Sequence, residues 1–129
     1  MSPSPVPPSR YRFSKQMRLR LQRDFQRVYA AKQYAADETL VINGCENHLP
    51  AGLTRLGLSV SRAVGNAAVR NRWKRWIREV FRLTYAELPA GFDFVVRPKR
   101  GASGGFAAIR ASLPHLAQRV ARRSRKTAP

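Results

Sequence analysis

The chain has 129 residues, of which 25 are Lys or Arg and 7 are Asp or Glu, a formal charge of +18. That length fits a single domain able to bury roughly two-thirds of its unfolded surface, so neither a structural metal nor a disulfide is required. So large a positive excess opposes compaction unless a polyanion relieves it, which points to nucleic acid; no apolar run is long enough to span a bilayer, and the charge is not confined to one lipid-facing helix.

In chain order, residues 1–10 read as a flexible tail, because Ser2 to Ser9 is rich in proline and poor in large apolar groups. The tail lacks the apolar run of a secretory signal. A single domain is expected over 11–120. A helix is expected from Arg20 to Lys32, with Leu21, Phe25, Val28 and Tyr29 on one stripe and Arg20, Arg23 and Arg27 opposite. Periodicity alone places Phe25 and Tyr29 in the core. Aromatic faces at i and i+4 can also form a shelf on which unpaired bases stack.

Thr39 to Asn43 and Arg55 to Ser61 read as strands, the second with Leu56, Leu58 and Val60 turned inward. The loop between them, Gly44 to Leu53, carries Pro50 and Gly52, and strands joined in this way are expected to pair antiparallel. Cys45 cannot form an intramolecular disulfide, which fits a reducing cytoplasm. With His48 it supplies at most two metal ligands, and His115 is distant in sequence, so no zinc site is supported.

Gly65 to Arg82 is the most strongly patterned stretch. At about 100° per residue, Val69, Trp73, Trp76, Ile77, Val80 and Phe81 share one face of a helix. Gly65 allows a sharp turn into it and Asn66 is placed to cap it. The opposite face sets one acid, Glu79, against Arg70, Arg72, Lys74, Arg75, Arg78 and Arg82, so pairing within the helix cannot neutralise it. A face of this kind fits a polyanion better than plain solvation.

A third strand, Phe92 to Val96, follows the turn Leu88-Pro89-Ala90-Gly91 and ends in Arg97-Pro98-Lys99-Arg100. Gly101 to Gly105 lacks the Gly-Lys-Ser/Thr ending of a phosphate loop and reads as a plain loop. Phe106, Ile109, Leu113, Leu116 and Val120 keep a helical period, in which Pro114 must kink the helix or open a second one capped by Ser112. Residues 121–129 read as a basic tail. The pattern predicts an α+β fold, a small mixed sheet packed with helices.

Leu56-Gly57-Leu58-Ser59-Val60-Ser61-Arg62, Gly65-Asn66-Ala67, and Arg70-Asn71-Arg72 followed by Lys74-Arg75 and Ile77-Arg78-Glu79 together resemble the signature of the protein subunit of bacterial ribonuclease P. Asp24-Phe25-Gln26-Arg27-Val28-Tyr29 resembles that family's first helix, and the likeness extends from about Arg18 to Val120. The resemblance implies the element order α-β-β-β-α-β-α, a fold like the second domain of ribosomal protein S5, and a left-handed βαβ crossover where the general rule is right-handed. It implies that Arg62, Asn66, Arg70, Asn71, Arg72, Lys74, Arg75 and Arg78 face the ribonuclease P RNA. Phe25, Tyr29, Arg97 and Lys99 would face the single-stranded 5′ leader of precursor tRNA. Two departures stand out: Ala63 follows Arg62 where relatives often carry a second cation, and Tyr29 replaces a frequent phenylalanine.

The acids Asp24, Asp37, Glu38, Glu46, Glu79, Glu87 and Asp93 are scattered, and a metal-dependent nuclease needs them clustered. No catalytic or metal-binding residue is therefore assigned to the protein. The resemblance agrees, implying that the RNA subunit is the catalyst and holds Mg²⁺, in the cytoplasm, with no obligate protein partner. A ribosomal-type or chaperone RNA-binding protein would share the charge and the helix without an aromatic cleft, and a DNA-binding protein would lay the basic helix in a major groove.

Overall fold

A computed structural model describes residues 14–127, so the proline-rich stretch 1–10 lies outside the described residues. Three helices, α1 (Gln22–Ala30), α2 (Ala67–Thr84) and α3 (Phe106–Thr127), accompany four strands, β1 (Tyr34–Ala36), β2 (Leu40–Glu46), β3 (Arg55–Leu58) and β4 (Phe92–Pro98). The class is α+β as expected, with a single mixed sheet in the order β1-β2-β4-β3.

β4 takes an interior position because both of its faces are buried: Phe92, Phe94 and Val96 on one side, Asp93 and Val95 on the other. It pairs antiparallel with β2 and parallel with β3, so β2 and β3 are not neighbours and the expected hairpin between them does not form. The reason lies in the connecting loop. Asn47 N–H donates to the Gly91 carbonyl (2.9 Å) and Gly91 N–H to the Gly52 carbonyl (2.8 Å), which stitches the loop to the turn before β4 and leaves a strand-wide gap. A parallel β3–β4 pair needs a crossover, and α2 provides it.

The residue pattern does not locate β1, since Tyr34-Ala35-Ala36 has little strand propensity, although the element order implied by the resemblance includes a third strand ahead of α2. Asp37 makes the hairpin: its Oδ1 accepts from the Thr39 and Leu40 N–H groups (2.8 and 2.9 Å). Ser112 Oγ donates to Asp37 Oδ2 (2.6 Å), so Ser112 ties α3 to the hairpin rather than capping a second helix. Pro114 sits inside a single α3 that continues through Thr127, past the expected boundary at residue 120. Buried Leu116, Ala117, Val120 and Ala121 hold those turns to the sheet.

The main core lies between the sheet and the α2–α3 layer, uniting Ile77, Val80 and Phe81 with Ile109, Leu113 and Leu116 over Leu40, Ile42, Leu56, Phe92, Phe94 and Val96. The opposite face carries a smaller cluster of Leu19, Val28 and Val95 with Phe25 and Cys45 against it. α1 covers only part of that face.

Candidate nucleic-acid interface

The N-terminus of α2 is built as expected. Asn66 Oδ1 accepts from the Val69 N–H (3.0 Å), and a Cβ at Gly65 would lie 2.9 Å from Val69 Cβ, so only glycine fits. Trp73 and Trp76 meet edge to face, and Gly104 rests on Trp73, where a Cβ would approach within 2.7 Å. The glycine-rich loop thus serves tryptophan packing. On the outer face Asn71, Arg72, Arg75 and Arg78 are exposed, Arg70 and Lys74 half-buried, and Arg62 and Asn66 exposed just ahead of the helix. Glu79 is taken by Arg82 (Oε2 to Nε, 3.2 Å), so it neutralises none of the others.

A groove of about 770 Å³ lies at one end of the sheet, lined by Val41, Ser59, Ser61, Arg97, Lys99 and Arg100 among others. Its wall includes Ala63 and Val64, the segment leading into α2, so groove and basic helix share an edge. Arg97 is paired in register with Val41, and Lys99 N–H donates to the Thr39 carbonyl (2.9 Å), extending the ladder to the rim.

Phe25 packs over Gly57, where a Cβ would sit 2.8 Å from its ring. Gly57 pairs with Val95, two residues before Arg97 on the same face of β4. Tyr29, one turn further along α1, is 38% exposed. The stripe expected to be core therefore divides: Val28 is fully buried, Phe25 half-buried, and Leu21 and Tyr29 exposed. Leu21 is exposed because it has extended backbone and precedes the helix instead of opening it.

Sequence reasoning missed what holds α1 in place. Asp93, wholly buried on β4, accepts from Arg55 Nε and Nη2 (2.8 and 2.7 Å), from Asn47 Nδ2 (3.0 Å), and from Arg27 of α1. Burial opposes ionisation of this carboxylate, but the bonds from Arg55, Asn47 and Arg27 outweigh it and hold its pKa below the ordinary value. An acid in an otherwise apolar strand, Phe-Asp-Phe-Val-Val, was the available signal. Arg27 Nη1 also lies 2.9 Å from Cys45 Sγ, whose thiol burial pushes up. Asp93 is occupied by two arginines and the Asn47 amide and is not placed to serve as a general base. Among the described residues, no three of His, Cys, Asp or Glu come together as metal ligands, and no helix is long and apolar enough to cross a membrane.

Residues 13–121 match the family model Ribonuclease P. The chain is 36% identical over 113 residues to the ribonuclease P protein component of Thermotoga petrophila, covering 84% of this chain and 95% of that one. Among solved structures it resembles the RNase P protein of Thermotoga maritima (36% identity, TM-score 0.72, 79% of this chain and 96% of that chain). It also resembles that of Staphylococcus aureus (34% identity, TM-score 0.69, 79% and 93%).

Proposed function

The chain belongs to the ribonuclease P protein family, a partner of ribonuclease P RNA, and on that premise we propose that it helps the RNA remove 5′ leaders from precursor tRNA in the cytoplasm. In this reading α2 docks on the RNA subunit through Arg62, Asn66, Arg70, Asn71, Arg72, Lys74, Arg75 and Arg78. The leader lies between α1 and the sheet with its bases against Phe25 and Tyr29, and continues into the groove, whose lining includes Arg97 and Lys99 but no residue of α1.

The observation that carries this reading is the shared edge between groove and helix at Ala63 and Val64. An RNA subunit held on α2 would present its cleavage site where the groove begins, so the strand just upstream enters the groove directly. Aromatic stacking is tolerant of base identity and a cationic floor of sequence, which suits a site that must accept many leaders.

Hydrolysis is assigned to the RNA subunit with its Mg²⁺, because the described acids are dispersed or, like Asp93, committed to arginines. The protein's own contribution is to hold and orient the substrate strand.

Reconstitution tests the assignment. Added to bacterial ribonuclease P RNA at low Mg²⁺, the protein should stimulate cleavage of precursor tRNA at the mature 5′ end, and alone it should cleave nothing. Specific 5′ cleavage by RNA-free protein would overturn the division of labour.

A further inference from the structure

A second cationic surface lies apart from α2. Arg119, Arg122, Arg123 and Lys126 occur at i, i+3, i+4 and i+7 of α3, on one side of the helix, and border an open surface depression of about 210 Å³. The other side, Leu116, Ala117, Val120 and Ala121, is buried. Among the described residues no acid pairs with Arg119, Arg122 or Lys126. The family match ends at residue 121, so Arg122, Arg123 and Lys126 lie beyond it.

The position of this cluster follows from the sheet. The groove lies beside the segment leading into α2, and Val41 in its lining pairs with Ala36 of the edge strand β1. Tyr34, two residues along β1 and 53% exposed, marks that edge, and Arg123 donates to the Tyr34 carbonyl. The end of α3 is thereby fastened to the edge strand that neighbours the groove-lining strand β2.

We propose that the last turns of α3 bind the phosphates of the distal, 5′ part of a long leader, with Tyr34 beside them as a further aromatic surface. The proposal rests on the reading that the groove holds the leader. Its chemistry is electrostatic: three exposed or half-exposed cations without acid partners attract a flexible polyanion, and a strand already held in the groove reaches them at high effective concentration.

The test is the triple variant Arg119→Ala, Arg122→Ala, Lys126→Ala in the reconstituted holoenzyme, with Arg123 retained because it fastens β1. Affinity is measured against salt for precursors with leaders of about 4 and about 16 nucleotides, the span over which single-strand sites fill. For the long leader, the slope of log affinity against log salt should fall by about 2, since each single-strand phosphate contact contributes about 0.7. The short leader should show no change. An unchanged long-leader slope would overturn the proposal and make the cluster a solvated helix end; equal loss for both leaders, or weaker binding of the RNA subunit alone, would overturn it in favour of an RNA-subunit contact. Phe25→Ala is the companion arm. Leader-dependent loss there with none in the triple variant refutes only the α3 site, whereas no loss in either refutes the groove reading as well.

Discussion

Arg27 reaches from α1 into the sheet to donate to the buried carboxylate of Asp93, which also takes Nε and Nη2 of Arg55. One acid therefore fixes the helix that carries Phe25 and Tyr29. Removing one member of a buried ion cluster leaves charge without a partner, so Asp93→Ala should destabilise the fold by about 3 kcal/mol. A denaturant melt of the free protein measures it directly.

The same residue sets a pH dependence. Asp93 has a lowered pKa in the folded state, so its contribution is complete above the unfolded carboxylate value of about 3.9 and is lost as pH falls through the folded value below it. Asp37 behaves alike, because burial is outweighed by bonds from Ser112 and the Leu40 and Thr39 N–H groups. Thermal midpoints should stay level above about pH 5 and drop below pH 4. In Asp93→Asn the neutral protein should be less stable and the acid drop smaller; a drop of unchanged size would mean that Asp93 is not part of it.

Gly57→Ala offers a test of groove geometry that adds an atom instead of removing one. A Cβ there would meet the Phe25 ring at 2.8 Å and Leu19 Cβ at 3.2 Å, so the ring must shift. Overpacking of this kind costs about 1 to 3 kcal/mol. Precursor affinity should fall with it while binding of mature tRNA stays constant, as read by titration of the holoenzyme.

On α2, replacing the exposed Arg72, Arg75 and Arg78 with Ala should reduce the salt slope of RNA-subunit binding by about 2, at about 0.7 to 0.9 per lost phosphate contact. The fold should persist, since the buried face of Trp73, Ile77, Val80 and Phe81 is unchanged. An unaltered slope would show these arginines to be merely solvated.

How much of this was legible beforehand varies by element. α2 could be read nearly whole, because a strict helical period, a capping Asn66 and a constrained Gly65 act locally on neighbouring residues. Strand order could not: the separation of β2 from β3 depends on Asn47, Gly52 and Gly91 meeting across long sequence distances. β1 could be placed only by the implied element order, because its pairing comes from the Asp37 turn and not from its own side chains. The family resemblance pointed to Phe25 and Arg97, while the Asp93 cluster that positions α1 joins residues 27, 47, 55 and 93 and had no contiguous motif.

The measurement closest to the central claim is the affinity of the reconstituted holoenzyme for precursor tRNA against mature tRNA, with wild-type protein and with Phe25→Ala. The wild-type protein should favour the precursor, and Phe25→Ala should remove about 1 to 3 kcal/mol of that preference while leaving mature tRNA unaffected. Equal strengthening of both tRNAs by the wild-type protein, or equal weakening of both by the variant, would contradict a groove that holds the leader.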